Sequence, residues 1–126
     1  MNSVTKRSHA PTFESISIED MDEHAGQAAA FLKLLANPNR LMILCHLLDS
    51  ELSVSALNAH LPLSQSALSQ HLAVLRHAGV VNTRREHQVI FYRLASPEVT
   101  EVMSVLYRQF CQPDAEHSTP NTPGSP

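Results

Sequence analysis

Cys45 and Cys111 are the only two thiols in this 126-residue chain. A cysteine sulfur can be oxidised, sulfurated or bridged, and then restored by reduction. Taken singly, each reads as a small buried hydrophobe. As a pair in a chain with no export signal, they suggest reversible redox chemistry rather than a structural disulfide. A second set of chemically apt residues lies between them. In the run Gln65–Ala78, Leu68, Leu72 and Leu75 fall at i, i+4 and i+7 and must face inward. Gln65, Ser66, Ser69, Gln70 and Ala73 then face outward. Amides and hydroxyls can pair with base edges in a DNA groove, and small residues allow close approach. Arg76 is placed for phosphate, and Arg84, Arg85, Gln88 and His87 follow on a hairpin, where phosphate or minor-groove contact adds affinity rather than sequence choice. Ser64, at the start of the run, and His71, within it, complete the candidate DNA-binding set.

Other chemistries find little to work with. No nucleophile stands with a base and an orienting group, and no phosphate loop or paired carboxylate site is visible, so the chain does not read as an enzyme. His46, His60 and His71 are scattered without a paired ligand spacing and read as surface or capping residues; no metal site and no cofactor are expected. No apolar run approaches the ~18 residues that span a bilayer. The N-terminus has Lys6 and Arg7 but no apolar core behind them, so it is not a secretory signal, and a cytoplasmic location is the expectation.

The net charge of −3 seems at first to argue against nucleic acid. Its distribution argues the other way. Glu14, Glu19, Asp20, Asp22 and Glu23 outweigh Lys6 and Arg7 near the start, and the last stretch is also acidic. Residues 64–93 hold Arg76, Arg84, Arg85 and Arg93 against Glu86 alone, a local balance of +3. Local charge is what meets phosphate.

The elements that must position these residues can be read from caps and periodicity. Residues 1–16 look loosely ordered, residues 17–112 form one domain, and the Pro-rich residues 113–126 should be disordered. A first helix runs from about Ile18 to Ala36, with Ala28, Phe31, Leu32 and Leu35 on one face. Asn37 and Pro38 start a second, with Leu41, Leu44, Cys45 and Leu48 as its apolar stripe. Ser53 caps a short third helix, Val54 to Leu61, ended by Pro62. Ser64 caps the fourth, and Gly79 closes it in a left-handed turn. Val81–Glu86 and Val89–Leu94 are strands. Ser96 and Pro97 start a last helix with Val99, Met103, Leu106 and Phe110 on one face. The expected fold is mainly α with a β-hairpin wing: a winged helix-turn-helix of five helices and two strands. Val102, Val105 and the alanine-rich face of the first helix leave apolar surface over, so a homodimer through the first and last helices is expected.

The segments LKLLANPNRLMILCHLL, LSVSALNAHLPLSQSALSQHLAVLRHAGVV and REHQVIFYRL resemble the ArsR/SmtB family of dimeric bacterial repressors, over about residues 25–111. Within it the chain is most similar to the sulfide- and redox-responsive group. The resemblance implies a winged five-helix dimer that binds palindromic double-stranded operator DNA and lets go when an inducer acts. Metal-sensing members carry Cys-x-Cys where the third helix begins, but here Leu52-Ser53-Val54-Ser55 puts serines at those places. Others use Asp, His and Glu on the last helix, and here Ser96–Cys111 offers only Glu98 and Glu101. Soft and borderline metals favour thiolate or imidazole, so neither site can assemble. What the resemblance implies instead is a switch in which a second-helix and a last-helix cysteine, here Cys45 and Cys111, are oxidised or bridged by reactive sulfur, with persulfide or an oxidant as inducer. Two alternatives stay open: a metal response through another site, and a regulator that relieves silencing by displacing another DNA-bound protein.

Overall fold

A computed structural model describes residues 15–112. The expected loose N-terminus falls almost wholly, and the Pro-rich tail wholly, outside the described residues. The chain divides after Asn37 into two compact units.

The first unit contributes one helix, α1 (Ile18–Leu35). The Ser17 hydroxyl accepts the Asp20 backbone N–H at 3.2 Å, satisfying one of the donors that a helix start leaves free. Glu19 and Asp20 in the first turn and Lys33 in the last complement the helix dipole. Of the expected apolar face, Leu35 is buried and Phe31 half-buried, while Ala28 is exposed and Leu32 is 57% exposed.

The second unit holds α2 (Pro38–His46), β1 (Leu52–Ser53), α3 (Val54–His60), α4 (Gln65–His77), β2 (Val81–Glu86), β3 (Val89–Leu94) and α5 (Pro97–Phe110). Its core is aliphatic: Ile43, Leu44, Leu57, Leu68, Leu72, Leu75 and Val99 are wholly buried. Three serine caps set the helix starts. Ser53 accepts from the Ala56 N–H, Ser64 from Ala67 and Ser96 from Val99, at 3.1, 3.1 and 3.2 Å. Between α3 and α4 the Asn58 side-chain amide donates to the Leu63 carbonyl at 2.9 Å, which braces the turn. At the far end of α4 the Gly79 N–H donates to the Arg76 carbonyl and the Val80 N–H to the Leu75 carbonyl. Those two bonds form a Schellman closure, and Gly79 holds the φ of 79° that it requires.

The closure delivers the chain directly into β2. β2 and β3 pair antiparallel from Val81↔Leu94 to Glu86↔Val89, leaving a two-residue loop of His87 and Gln88. His87 takes φ 61°, a left-handed value that a tight hairpin loop demands. β1 adds a third strand through Leu52↔Tyr92 and Ser53↔Phe91, so the sheet order is β1-β3-β2. Alternation in the sequence predicts only β2 and β3, because a strand of two residues is too short to carry a period.

Two packing expectations are corrected. Cys45 does not lie on the buried side of α2: Ile43, Leu44 and Leu47 are buried, Leu41 and Leu48 half-buried, and Cys45 exposed. Residues 41–45 are apolar without a break, so spacing could not choose between the two flanks of Leu44. On α5, Val99 and Met103 are buried and Leu106 half-buried, but Phe110 is 81% exposed, because none of the described residues packs over the last turn.

Candidate nucleic-acid interface and thiol pair

On α4, with Leu68, Leu72 and Leu75 buried, Gln65, Ser66, Ser69, Gln70, Ala73 and Arg76 are all exposed, as their spacing predicts. Ser64 is partly committed, since its oxygen already accepts the Ala67 N–H and lies 3.5 Å from the Ser66 hydroxyl. His71 is half-buried, and about 200° of helical turn separates it from Ser69. It therefore lies on the other flank of the helix from Ser69 and Arg76. No acidic residue occurs anywhere in α4.

The wing has two chemically distinct faces. Residues directly opposite in an antiparallel pair share a face, and successive residues alternate. Val81, Thr83, Arg85, Ile90, Tyr92 and Leu94 therefore share one face, and Asn82, Arg84, Glu86, Val89, Phe91 and Arg93 the other. On the second face Arg84 is thoroughly engaged. Its Nε donates to Glu51 Oε1 at 2.8 Å, its Nη1 donates to Glu86 Oε1 at 3.0 Å, and its guanidinium lies 4.7 Å over the Phe91 ring. Hydrogen bonding to Glu51 first, and to Glu86 second, raises the Arg84 pKa above its already high ordinary value. Arg93 stands 3.9 Å from the other Glu51 oxygen. Arg84 and Arg85, read from sequence as equivalent, thus point to opposite sides, and Arg85 has no ion-pair partner among the described residues.

The face that carries Arg85 and Tyr92 is turned toward α4. Between them lies an open hollow of about 500 Å³, lined by Ser69, Ala73, Arg76, His77 and Tyr92. His77 and Tyr92 were not singled out for DNA contact from the sequence. The hairpin register places Tyr92 opposite Thr83, and only that register reveals that it shares a face with Arg85.

Cys45 and Cys111 are free and exposed, contrary to the reading of each as a buried hydrophobe. Cys45 lies in the last turn of α2, and Cys111 is the C-cap of α5. Next to Cys45, His46 stacks on His60 with ring centroids 4.9 Å apart and planes at 21°. This contact joins the ends of α2 and α3, a pairing hidden by a separation of fourteen positions in sequence. Among the described residues no three His, Cys, Asp or Glu side chains gather as a metal ion needs. No helix among them is long and apolar enough to cross a membrane.

Comparison with known proteins gives this geometry a context. The pattern described as "Bacterial regulatory protein, arsR family" matches residues 37–83, which run from the start of α2 into β2. The chain is 52% identical over 97 residues to the transcriptional activator HlyU of Vibrio cholerae, covering 77% of this chain and 90% of that protein. It is 46% identical over 99 residues to the biofilm growth-associated repressor of Agrobacterium fabrum, covering 79% and 85%. Among solved structures, reduced HlyU from V. cholerae superposes with a TM-score of 0.70 at 53% identity, covering 75% of this chain and all (100%) of that one. The repressor BigR from Xylella fastidiosa gives 0.72 at 41% identity, covering 77% and 99%. These relatives are regulators of transcription rather than enzymes, and they share the winged helix-turn-helix seen here. The chain belongs to the arsR family of bacterial regulatory proteins, as a DNA-binding transcriptional regulator.

Proposed function

We propose that the protein is a cytoplasmic homodimeric repressor that binds a palindromic operator through α4 and the wing, and that chemistry at Cys45 and Cys111 releases it. The observation that carries the switch is the state of the thiols. The chain has two, and both are exposed and unpaired at helix ends, outside the segment that reads DNA and on either side of it. An exposed thiol can meet a soluble reactant.

The chemistry balances with a low-molecular-weight persulfide. One thiolate attacks the sulfane sulfur and expels the carrier thiol, leaving a protein persulfide. The second thiolate then attacks the inner sulfur of that persulfide and expels hydrogen sulfide, giving a disulfide. If both cysteines are persulfidated first, the same displacement leaves a trisulfide. Two protein thiols are oxidised and sulfane sulfur is reduced. A direct disulfide requires Cα atoms within about 7 Å, whereas an extra sulfur tolerates a wider gap. A covalent link between the ends of α2 and α5 shifts α5, which this reading places in the dimer seam. Half-sites lie roughly 34 Å apart, so a small change of angle between the two α4 helices misaligns one of them. One of the solved relatives is described as reduced, which supports a role for oxidation state in this group.

The test is mass spectrometry of the protein after sulfide, persulfide and peroxide, in parallel with operator release. Persulfide is expected to link Cys45 to Cys111 and to weaken operator binding about tenfold or more, equivalent to a loss of ~1.4 kcal/mol. If Cys45→Ser and Cys111→Ser proteins still release DNA on persulfide treatment, the switch lies elsewhere. The direction of control has a second reading, because one relative is named an activator and another a repressor. Relief of silencing predicts that deletion lowers target transcripts; repression predicts that it raises them.

A further inference from the structure

We propose that the hollow between α4 and β3 seats one backbone phosphate of the DNA strand in each half-site, held by Arg76, His77, Tyr92 and Ser69. The proposal rests on the DNA-binding role and assigns His77 and Tyr92 to it.

A reading helix in the major groove and a wing in the neighbouring minor groove are separated by a single sugar–phosphate strand. That strand must pass between the two elements. The hollow lies between them, is open rather than enclosed, and its volume of about 500 Å³ has room for a phosphate with its flanking sugars. A pocket for a small metabolite is instead mostly apolar and buries most of its ligand.

The lining offers a guanidinium, an imidazole, a phenol and a serine hydroxyl, and the methyl of Ala73 is its one purely apolar side chain. All four polar groups can donate to an anion. The side-chain polar atoms of Arg76, His77 and Tyr92 find no partner among the described residues, so they stand ready for an external one. Among the described residues no carboxylate competes. α4 has no acid, the wing face that carries Tyr92 has none, and Glu51 and Glu86 are bonded to Arg84 on the opposite face. Ala73 matters by being small, because a longer side chain there would fill the gap. In this assignment Ser69 touches the strand rather than a base, which leaves Gln65, Ser66 and Gln70 as the readers.

The test uses the full-length protein with an operator duplex and an unrelated duplex. Tyr92→Phe removes one hydroxyl and keeps the ring. It should weaken both complexes about three- to tenfold, a typical hydrogen-bond loss, and leave their ratio unchanged. Arg76→Gln should weaken both further and reduce the slope of log K against log salt by about 0.9, and Arg76→Lys should restore the slope. Ethylation of a single phosphate per half-site should interfere with wild-type binding but not with the binding that Arg76→Gln retains. Circular dichroism should be unchanged in all three variants.

The assignment fails if Tyr92→Phe and Arg76→Gln bind as wild type does, or if they change operator preference instead of overall affinity. Millimolar inorganic phosphate, at constant ionic strength, should weaken wild-type binding more than Arg76→Gln binding, and an equal effect on both places the phosphate contact elsewhere and overturns the assignment. Gln65→Ala and Gln70→Ala separate the two levels of the argument. If they lose operator preference while the hollow variants behave as wild type, DNA reading stands and only the hollow falls. A wild-type protein that binds no duplex overturns both.

Discussion

Ser64 caps a helix and, on the proposed reading, also meets DNA, and charge can separate the two. Its oxygen caps α4 by accepting the Ala67 N–H. Ser64→Ala should cost about 1 kcal/mol, as cap removal does, and lower the melting temperature by several degrees. Asp caps a helix as well as Ser does, so Ser64→Asp should keep the melting temperature within a degree or two. It places a negative charge where α4 meets DNA, and should reduce operator affinity at least tenfold at low salt. A drop in DNA binding for the Ala variant that matched the Asp variant would instead show that the cap alone governs recognition. Gly79 is constrained by its backbone. A Cβ built there meets nothing within 4 Å, so Gly79→Ala is penalised only by its φ of 79°. The expected cost is about 1–2 kcal/mol, read as a lower midpoint in urea with an unchanged slope.

At the scale of elements, the wing is held by its own acids. Glu51, one residue before β1, clasps Arg84 of β2 and stands near Arg93 of β3. Glu51→Gln should remove one of the two carboxylates that hold Arg84 and the one beside Arg93, leaving the wing one unit more positive. Non-specific DNA affinity should rise several-fold with a steeper salt dependence, and the melting temperature should barely move, since exposed pairs contribute little. A fall in affinity would show instead that Glu51 keeps the wing in its working position. This clasp was not legible in the sequence, because Glu51 and Arg84 are 33 positions apart. The elements themselves were legible where local signals agree. Ser64 with Gly79 bounded α4 to within a residue, and Val81–Glu86 with Val89–Leu94 were placed to the residue by alternation around a two-residue loop. Legibility failed where a signal was absent or uniform. β1 is too short for a period, and the unbroken apolar run through Cys45 allowed two phases. The exposed side of α4 was readable because three leucines fix the opposite side. That Tyr92 and Arg85 share the wing face turned toward α4 depends on strand register, which no local spacing encodes.

At the scale of the whole molecule, the single chain leaves large apolar groups in solvent. Val105, Tyr107 and Phe110 of α5 are 45%, 53% and 81% exposed, and Met21 and Leu32 of α1 are 51% and 57% exposed. Burying such surface against a second copy is the expected remedy. Phe110→Glu should therefore leave the helical signal of the monomer intact, shift sedimentation from dimer to monomer, and reduce binding to a two-half-site operator far more than binding to one half-site. A wild-type monomer at micromolar concentration would remove the basis for this expectation. The two-faced wing has a consequence for motion as well as for affinity. Unpaired cations on the α4 side, and a rear face where Arg84 and Arg93 are balanced by Glu51 and Glu86, make the reading unit electrically one-sided. In the field of a duplex such a body turns as it approaches, so encounters begin with the correct side leading. One that drifts along the helix is kept from rolling over, because rolling would exchange the unpaired cations for a face whose charges already cancel. The chain's overall negative charge would then discourage lingering on DNA in any other pose, and a search among many wrong sites would proceed with the reading helix already presented.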